Sequence, residues 1–327
     1  MCGQTSANFK IQLREMMYGS GENFDYMQCA ACNSLYIEKV PSDLTRFYPA
    51  DYYSFQNAVL EYPVSRILRY VRRKRTEYRI DRKDLVGKIL TAGQDFVNRQ
   101  SNDWFSRYYS WDWFRTTGTT VDSNILDVGC GSGQLLSNMR DQGFTKLTGI
   151  DPFLKESKDL LGIKLVKGAI HDLDDRFDLV MAHHSFEHMH DPMTSLERMR
   201  DLCRVDGWLL LRFPVLGDSW NQYRECWVEL DAPRHLFIPS VDGFRAFVSR
   251  VGGLKLRKIE YDTTFFEIAG SELYRKNIPL REPSGSRSVA FKDYFSSEEL
   301  EAFKSKATAL NAGASAGRAS FYLQRIE

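Results

Sequence analysis

The chain has no marked excess of charge of either sign. Its 44 lysine and arginine residues face 43 aspartate and glutamate residues, for a net charge of +1 over 327 residues. We therefore expect no net electrostatic potential over the whole protein that would attract nucleic acid or an acidic substrate. With 43% hydrophobic and 27% charged residues, the composition is that of a globular protein and excludes a largely disordered chain.

Long apolar runs are also missing. No stretch approaches the ~18 consecutive apolar residues that a membrane span needs. The residues after Met1 contain no apolar segment of the kind found in secretory signals. Internal repeats and low-complexity tracts are absent from the sequence as well. We therefore expect a cytoplasmic protein whose thiols stay reduced.

Cysteine is scarce, with six residues, and no histidine precedes position 171. Cys130, Cys203 and Cys226 each stand alone in apolar or mixed sequence. A lone cysteine in such a setting usually behaves as a small buried hydrophobic residue. We expect these three thiols to be unreactive.

The other three cysteines lie in the first 32 residues. Cys29 and Cys32 form a C-x-x-C knuckle, and Cys2 followed by Gly3 has the form of the second half of another. A structural zinc site takes four ligands, commonly from two such knuckles. Cys2, Cys29 and Cys32 are therefore predicted metal ligands, and the fourth ligand lies upstream of Met1, lies elsewhere in the chain, or has been lost. A thioredoxin-like redox pair is an alternative that lacks its usual βαβ context.

The length suggests one large domain or two modest ones, at ~100–200 residues per domain. The run Thr116–Thr120 has the composition of a linker, and the pattern changes there to alternating strands and helices. We therefore divide the chain into a zinc-ribbon-like segment with a helical cap, residues 1–120, and a second domain, residues 121–327. The predicted strands are Asn124–Val128, Lys146–Ile150, Leu165–Lys167, Phe177–Ala182, Trp208–Phe213, Leu254–Tyr261 and Ser320–Ile326.

Two local patterns set boundaries within the second domain. Asp191 followed by Pro192 predicts the start of a helix, with aspartate as the N-cap and proline at the first helical position. Asp206 followed by Gly207 predicts a break before the fifth strand.

The most informative segment runs from a buried strand through three glycines at alternate positions, Gly129, Gly131 and Gly133, into a helix. Glycine is needed where the backbone turns tightly and a ligand approaches it closely. The spacing differs from the G-x-G-x-x-G of dinucleotide sites, and Asp127 would place a negative charge beside a bound phosphate. The loop suits S-adenosylmethionine (SAM), which carries a sulfonium and an ammonium group. Asp151, at the end of the next strand, is placed to accept hydrogen bonds from two ribose hydroxyls.

Four segments in order resemble the successive motifs of class I SAM-dependent methyltransferases: Asp127–Gly133, Gly149–Asp151, Phe177–Val180 and Glu187–Pro192. The resemblance covers roughly residues 121–262. It implies an α/β, Rossmann-like sheet of seven mostly parallel strands with a reversed last strand, beside the small N-terminal cysteine-bearing and helical segment. For the glycine loop alone, the alternative is a plain strand–turn–helix junction.

The same resemblance assigns residues to the parts of the cofactor. The three glycines would line the methionine part, and the segment Gly168–Leu173 would hold the adenine, with Ile170, His171 and Asp172 as candidates. Many relatives carry an acid directly after that glycine, whereas this chain has Ala169. His183, at the carboxyl end of the fourth strand, completes the predicted cofactor site.

All six histidines lie in the second part of the chain. Transfer to a hydroxyl needs a base, and histidine is the usual base near neutral pH. His235 lies in the polar loop Trp227–Leu236, inserted after the fifth strand, where it would cover the site. We predict His235 as the base and His188 as a second catalytic candidate that, with Glu187, positions the loop. The alternative for each histidine is a structural or solvated side chain.

A metal site among these histidines is a further alternative. His184 and His188 are four residues apart, a spacing that suits two zinc ligands on one helix face. No third ligand is evident from the sequence, and Pro192 indicates that the helix begins only after this segment.

Three more segments extend the resemblance: Cys29–Tyr36, Phe47–Tyr53 and Asp231–Leu236. Together they are similar to a subgroup of methyltransferases with an N-terminal zinc-ribbon segment, found in bacterial surface-polysaccharide (O-antigen) biosynthesis. The subgroup implies a sugar or glycan hydroxyl as acceptor. It has both cysteine knuckles complete, whereas this chain has one and a half.

The stretch Arg66–Lys88 is strongly basic, with ten basic against three acidic residues. It is interpreted as a solvated helix face, as a peripheral contact with an anionic membrane that carries a lipid-linked acceptor, or as a nucleic-acid site with the aromatic run Trp104–Phe114 as stacking platform. The neutral total charge argues against nucleic acid.

The sequence therefore predicts a SAM-dependent methyltransferase acting on a sugar or glycan hydroxyl. The alternatives are a methyltransferase acting on a quinone-like metabolite or on RNA, and a catalytically silent SAM-binding protein.

Overall fold

The computed structural model describes residues 2–3, 8–48, 65–97, 110–282 and 288–327. The chain divides into two compact units. Unit 1 comprises Met1–Gln56, His184–Leu196 and Leu211–Phe321, and unit 2 comprises Asn57–His183, Glu197–Leu210 and Tyr322–Glu327. Each unit is assembled from separated segments, and the predicted boundary at residue 120 stays a prediction.

The described residues form twelve strands: β1 (Phe9–Arg14), β2 (Asn23–Gln28), β3 (Leu35–Ile37), β4 (Asn124–Val128), β5 (Lys146–Asp151), β6 (Lys158–Leu160), β7 (Ile163–Lys167), β8 (Phe177–His183), β9 (Cys203–Pro214), β10 (Phe237–Ile238), β11 (Leu254–Tyr261) and β12 (Arg318–Arg325).

The α-helices of the described residues are α1 (Arg66–Asp81), α2 (Leu85–Val97), α3 (Asp112–Thr117), α4 (Gln134–Asp141), α5 (Pro192–Leu202), α6 (Asp218–Tyr223), α7 (Val241–Val251), α8 (Phe265–Arg275) and α9 (Ser297–Ala312). None of the helices in this part of the chain is long and apolar enough to cross a membrane.

The centre of unit 2 is a parallel sheet. Strand β4 pairs in parallel with β5 on one side and with β8 on the other, and β5 pairs in parallel with β7. These strands are short and apolar because helices cover both faces of a parallel sheet. In β4, for example, Ile125 and Leu126 are fully buried. Parallel pairing places the carboxyl ends of β4, β5, β7 and β8 at one edge.

The complete sheet has the order β11-β12-β9-β8-β4-β5-β7-β6. It contains eight strands in the described residues, one more than the seven predicted. The additional strand is β6, three residues long and antiparallel to β7. Strand β9 begins at Cys203, so the predicted break at Asp206 is instead a residue with φ of 63° inside a longer strand.

A second sheet of four antiparallel strands, in the order β1-β2-β3-β10, belongs to unit 1. The cysteine knuckle is the turn between β2 and β3, closed by hydrogen bonds between the backbones of Cys29, Asn33 and Ser34. Strand β10 follows the loop Trp227–Leu236 and pairs with β3. The cysteine-bearing segment therefore shares a sheet with residues just after His235.

Each unit has its own apolar core. Trp111, Trp113 and Phe114 are buried in the core of unit 2. These described residues of the aromatic run thus pack inside the protein and offer no stacking platform, whereas residues 104–109 lie outside the described part. The core of unit 1 includes Ala269 and Leu273 of helix α8.

Candidate functional site

The glycine loop has the backbone that only glycine adopts without strain. Gly129, Gly131 and Gly133 have φ values of 74°, 54° and 84°. A Cβ atom at Gly133 would lie 3.0 Å from a methyl group of Leu165, so the position is also crowded. The amide of Gly129 donates to the carbonyl of Ile150 at 2.8 Å, which holds the loop against the end of β5.

Asp151 ends β5 beside this loop. Its Oδ2 accepts a hydrogen bond from the amide of Gly131 at 2.9 Å, and its Oδ1 accepts one from the amide of Phe153 at 2.8 Å. Each oxygen retains a lone pair for a further donor. The carboxyl is 6% exposed, and burial raises its pKa.

Asp127 adds a second buried carboxyl to the same edge of the sheet. It is 3% exposed, and burial together with the nearby Asp151 raises its pKa to about 8. Without a ligand, Asp127 is therefore mainly neutral at pH 7. A cationic ligand favours its ionised form, which is what the charges of SAM would supply.

The remaining cofactor candidates follow β7 and β8. Ile170 is buried and His171 is exposed in a short 3-10 turn, whose Asp172 accepts a hydrogen bond from the amide of Ala169 at 2.8 Å. The ring of His183 stacks on Trp113, with centroids 4.4 Å apart. Because the four strands are parallel, unit 2 brings every predicted cofactor residue to one edge of its sheet.

His188 and His235 come together in unit 1, with ring centroids 4.7 Å apart. The Nδ1–H of His188 donates to the carbonyl of Arg234, and that of His235 donates to the carbonyl of Glu229, both at 2.8 Å. A carbonyl oxygen only accepts, so each Nε2 carries the lone pair. Burial lowers the pKa of His235 and lowers that of His188 to about 3, which keeps both rings neutral.

Glu187 is the site residue that the sequence assigned only to loop positioning. It is fully buried, and burial raises its pKa to about 8. Neither carboxyl oxygen has a hydrogen-bond partner within the described part of the chain. The Nδ1 of His184 lies 3.5 Å and the Nε2 of His235 lies 3.8 Å from its Oε1.

The loop that carries His235 is held by Arg234, which is fully buried. Its guanidinium donates to both oxygens of Asp231, to Oε1 of Glu15 at 2.9 Å and to the carbonyl of Phe47 at 3.1 Å. Glu15 and Phe47 belong to the N-terminal segment, so this ion-pair network joins that segment to the histidine loop. Nothing in the sequence indicated the pairing of Arg234 with Glu15.

A cavity of about 350 Å³ in unit 1 opens beside these residues. Its lining combines polar, aromatic and other apolar side chains: Met17, His184, His188, Val228, Glu229, Asp231, His235, Phe266, Leu280, Arg281, Ser288, Val289, Phe291 and Arg318. A volume of this size lies within the range of small-molecule pockets. The two predicted catalytic histidines thus face one cavity.

The predicted metal ligands also converge. The Sγ atoms of Cys2 and Cys29 lie 3.5 Å apart, and the three sulfurs of Cys2, Cys29 and Cys32 lie within 4.8 Å of one another. No fourth cysteine, histidine or carboxylate joins the group among the residues that the structure describes. Of the three lone cysteines, Cys130 and Cys203 are buried as predicted, whereas Cys226 is only partly buried; burial raises the pKa of each thiol.

Comparison with known proteins identifies the fold and chemistry of this chain. A family model described as a methyltransferase domain matches residues 89–252, just over half of the chain. A curated relative from Alteromonas mediterranea, named tRNA U34 carboxymethyltransferase, is 27% identical over 183 residues, or 47% of this chain and 52% of the relative. A protein of the same name from Shewanella frigidimarina is 27% identical over 195 residues, or 52% of this chain and 56% of the relative. The chain spans about half the length of these relatives.

Solved structures of methyltransferases are also similar to this chain. The plantazolicin methyltransferase BpumL, solved with a monoazolic desmethylPZN analogue and S-adenosylhomocysteine (SAH), aligns with a TM-score of 0.42 and 15% identity, over 80% of this chain and 97% of its own. Coclaurine N-methyltransferase, solved with N-methylheliamine and SAH, aligns with a TM-score of 0.40 and 17% identity, over 65% of this chain and 70% of its own.

These findings correct the predicted acceptor. A sugar or glycan hydroxyl as acceptor and a role in polysaccharide biosynthesis were predicted, with nucleic acid disfavoured, but the curated relatives are named for tRNA. The argument against nucleic acid was wrong because it rested on net charge over the whole chain.

The cofactor and reaction class are confirmed. SAM is the cofactor, and the mixed α/β fold carries a Rossmann-like sheet of mostly parallel strands. Because the family model matches just over half of the chain, the chain belongs to the methyltransferase domain family and is a SAM-dependent methyltransferase.

Proposed function

We propose that this methyltransferase modifies RNA and that tRNA is its acceptor. The observation that carries the proposal is the name shared by the curated relatives, tRNA U34 carboxymethyltransferase. The chain spans about half of the length of these relatives, so the proposal does not extend to the group that they transfer or to the nucleotide that they modify.

The basic stretch supports an RNA acceptor. Helix α1 and the residues after it contain exposed cations without an ion-pair partner among the described residues, namely Arg66, Arg69, Lys83 and Lys88. Other members of the stretch are neutralised locally, since Lys74 pairs with Glu77 and Asp84 at 2.8 Å each. Exposed, unneutralised arginine and lysine side chains are the groups that bind phosphates and release counterions.

The cavity of unit 1 supports a base as the reacting group. Phe266 and Phe291 line it in edge-to-face contact, with ring centroids 5.8 Å apart and planes at 83°, so together they form an aromatic wall against which a base would pack. Enzymes that act on a nucleobase take it out of the stack and hold it between aromatic or apolar side chains. His235 is the proposed base because its Nε2 lone pair belongs to a neutral ring lining this cavity, and His188 is its proposed partner.

We assign Asp127, Gly129, Gly131, Gly133 and Asp151 to SAM, with Ile170, His171 and His183 at the adenine side. Their common position at the carboxyl edge of the parallel strands supports the assignment.

The three clustered cysteines are proposed to hold a structural zinc ion, since thiolates bound at ~2.3 Å to one tetrahedral ion lie ~3.8 Å apart. The Cys2–Cys29 separation of 3.5 Å suits that geometry.

The proposed acceptor is tested with tRNA from cells that lack this protein. The purified enzyme is incubated with SAM labelled in the methyl group, and digested nucleosides are analysed by mass spectrometry. We expect a labelled nucleoside that is heavier than its precursor by one methyl group, because SAM supplies a methyl group and no carboxymethyl group. Label should be absent with Asp151→Ala and present with His190→Ala, which changes an exposed histidine outside the site. An enzyme that binds SAM but labels no nucleoside in tRNA would contradict the proposal.

The basic stretch is tested separately through binding. Arg66→Glu with Arg69→Glu should weaken tRNA binding and flatten its dependence on salt, because fewer phosphates are neutralised. Affinity for SAM should not change, since these residues are not among the cofactor ligands. Unchanged tRNA affinity and salt dependence would exclude helix α1 from the RNA interface.

A further inference from the structure

We propose that Glu187, His188 and His235 bind a first-row divalent transition ion, such as Zn²⁺, Mn²⁺ or Fe²⁺, beside the cavity of unit 1. The proposal concerns the protein's own side chains and does not depend on which acceptor is methylated. One candidate ligand atom from each of the three residues lies within 4.8 Å of the other two. Two imidazoles and one carboxylate are a common ligand set for such ions in proteins.

The hydrogen bonds of the two histidines prepare them as ligands. Each ring donates its Nδ1–H to a backbone carbonyl, His188 to that of Arg234 and His235 to that of Glu229. Metal-binding histidines characteristically donate their second ring nitrogen to a carbonyl or carboxylate, which fixes the tautomer and leaves the other lone pair for the ion. Both lone pairs here are on Nε2, and no sequence pattern alone would place two such rings together.

Glu187 supplies the independent observation. Its side chain is fully buried, and its two carboxyl oxygens have no hydrogen-bond partner in the described part of the chain. A buried carboxyl without a partner is costly and calls for an explanation such as an ion. Neither neighbouring histidine explains it, because the Nδ1 of His184 at 3.5 Å and the Nε2 of His235 at 3.8 Å both lie farther from Oε1 than the 2.7–3.2 Å of a normal N–H···O hydrogen bond.

The pair of Glu187 and His235 needs only a small contraction to bind one ion, and the ligand atom of His188 lies within 4.8 Å of both. Ligand atoms bound at ~2.1 Å to one ion lie ~3.0–3.4 Å apart, compared with 3.8 Å between Glu187 Oε1 and His235 Nε2. Asp231 Oδ2 lies 3.9 Å from the same nitrogen, but Arg234 holds that carboxylate. Three protein ligands leave a coordination position for water or substrate, as in catalytic rather than structural sites.

Such an ion would have two effects on this protein. It would tie the turn after β8, which carries Glu187 and His188, to the loop that carries His235. It would also occupy the Nε2 lone pair of His235, so that in the metal-loaded protein a metal-bound water of lowered pKa, and not His235 itself, would serve as the base in the cavity.

The test measures metal binding directly. The full-length protein is stripped with a chelator and reloaded with Co²⁺, and the bound ions per chain and the visible absorption are recorded. We expect a nitrogen- and oxygen-ligated Co²⁺ that persists when Cys29→Ser and Cys32→Ser remove the thiolates. Glu187→Gln and His188→Ala should each lower the affinity for this Co²⁺ ion by ~100-fold or more. Changes to residues that only hydrogen-bond to a ligand typically lower metal affinity by ~10–100-fold. His190→Ala is the matched control and should bind the ion like the unmodified protein.

Equal Co²⁺ stoichiometry and affinity in Glu187→Gln, His188→Ala and His190→Ala would overturn the proposal. If the site variants lose their cooperative unfolding transition, the proposal is tested instead by anomalous diffraction from crystals of the unmodified protein soaked in Zn²⁺. An anomalous peak among the three side chains supports the site, and its absence overturns it. Neither readout uses RNA methylation, so failure of the metal site and failure of the proposed acceptor are distinguishable.

Discussion

Asp127→Asn should stabilise the cofactor-free protein and at the same time weaken its binding of SAM. The carboxyl has a pKa of about 8 in the folded protein and an ordinary value of 3.8 when exposed. When the pKa of a group is higher in the folded than in the unfolded protein, its contribution to stability is complete at a pH below the unfolded pKa. That contribution is lost as the pH rises toward the folded pKa. Asparagine has nearly the same shape and does not titrate, so it removes this decline.

The magnitude follows from the two pKa values. A pH of 7 is roughly 3 units above the unfolded pKa of 3.8. At ~1.36 kcal/mol per unit, the buried carboxyl lowers the free energy of unfolding at pH 7 by about 4 kcal/mol. The stability difference between variant and unmodified protein should therefore grow by about 4 kcal/mol between pH 4 and pH 7. A hydrogen bond to a charged group contributes ~1.5–3 kcal/mol, so affinity for SAM should fall roughly 10–100-fold.

Urea unfolding of both proteins across this pH range measures the first effect. Calorimetric titration with SAM in buffers of different ionisation enthalpy measures the second, because SAM should expel the Asp127 proton near pH 7 in the unmodified protein only. A stability difference that stays constant with pH would refute the raised pKa. Equal proton release in the two proteins would refute the pairing of Asp127 with the charged cofactor.

Three further predictions concern the cofactor site, the buried ion pairs and the cysteines. Asp151→Ala should weaken SAM binding by ~10²-fold through loss of two charge-assisted hydrogen bonds, and calorimetric affinity within threefold of the unmodified protein would exclude the ribose assignment. Arg234→Met leaves the buried Asp231 and Glu15 without their partner and should lower the free energy of unfolding by ~3–5 kcal/mol; a loss below ~1 kcal/mol in urea titrations would show that the network is dispensable. Cys29→Ser should remove one zinc ion per chain by elemental analysis, whereas Cys226→Ser should not, and equal zinc contents would exclude the cysteine cluster.

Local sequence patterns predicted the strands well. Strands β4 and β11 have the predicted bounds, and helix α5 begins at Pro192, with Asp191 Oδ1 accepting from the amides of Met193 and Thr194. Buried parallel strands are short apolar runs, which one sequence is enough to show. Strand β6 has no such run, because it is a three-residue edge strand with two exposed positions.

The glycine loop was predictable for the same reason. Its strand, turn and helix are consecutive, so residue spacing alone constrains the geometry. The cluster of Glu187, His188 and His235 was not predictable, because its members come from a turn and a loop that only the fold brings together. The alternative of His184 and His188 as zinc ligands assumed a helix, whereas the structure has the short 3-10 turn Phe186–His188, and His184 before it has a φ of 51°.

Net charge misled the choice of acceptor because it averages over the whole chain. The basic residues of Arg66–Lys88 are offset by acids elsewhere in the sequence, yet electrostatic attraction to phosphate acts over about one Debye length. The proposed RNA contact therefore depends on the local charge of helix α1 and not on the total charge.

The contacts of Arg234 bear on how this chain could have diverged from methyltransferases without a cysteine-bearing segment. Its guanidinium depends on Glu15 and on the carbonyl of Phe47, and strand β10, just beyond it, completes a sheet with β3. Loss of the segment by gene rearrangement would leave a buried cation half-neutralised and a strand unpaired. Relatives without the segment should therefore lack an arginine at this position or have gained another acid beside it, so the two features are expected to be inherited together.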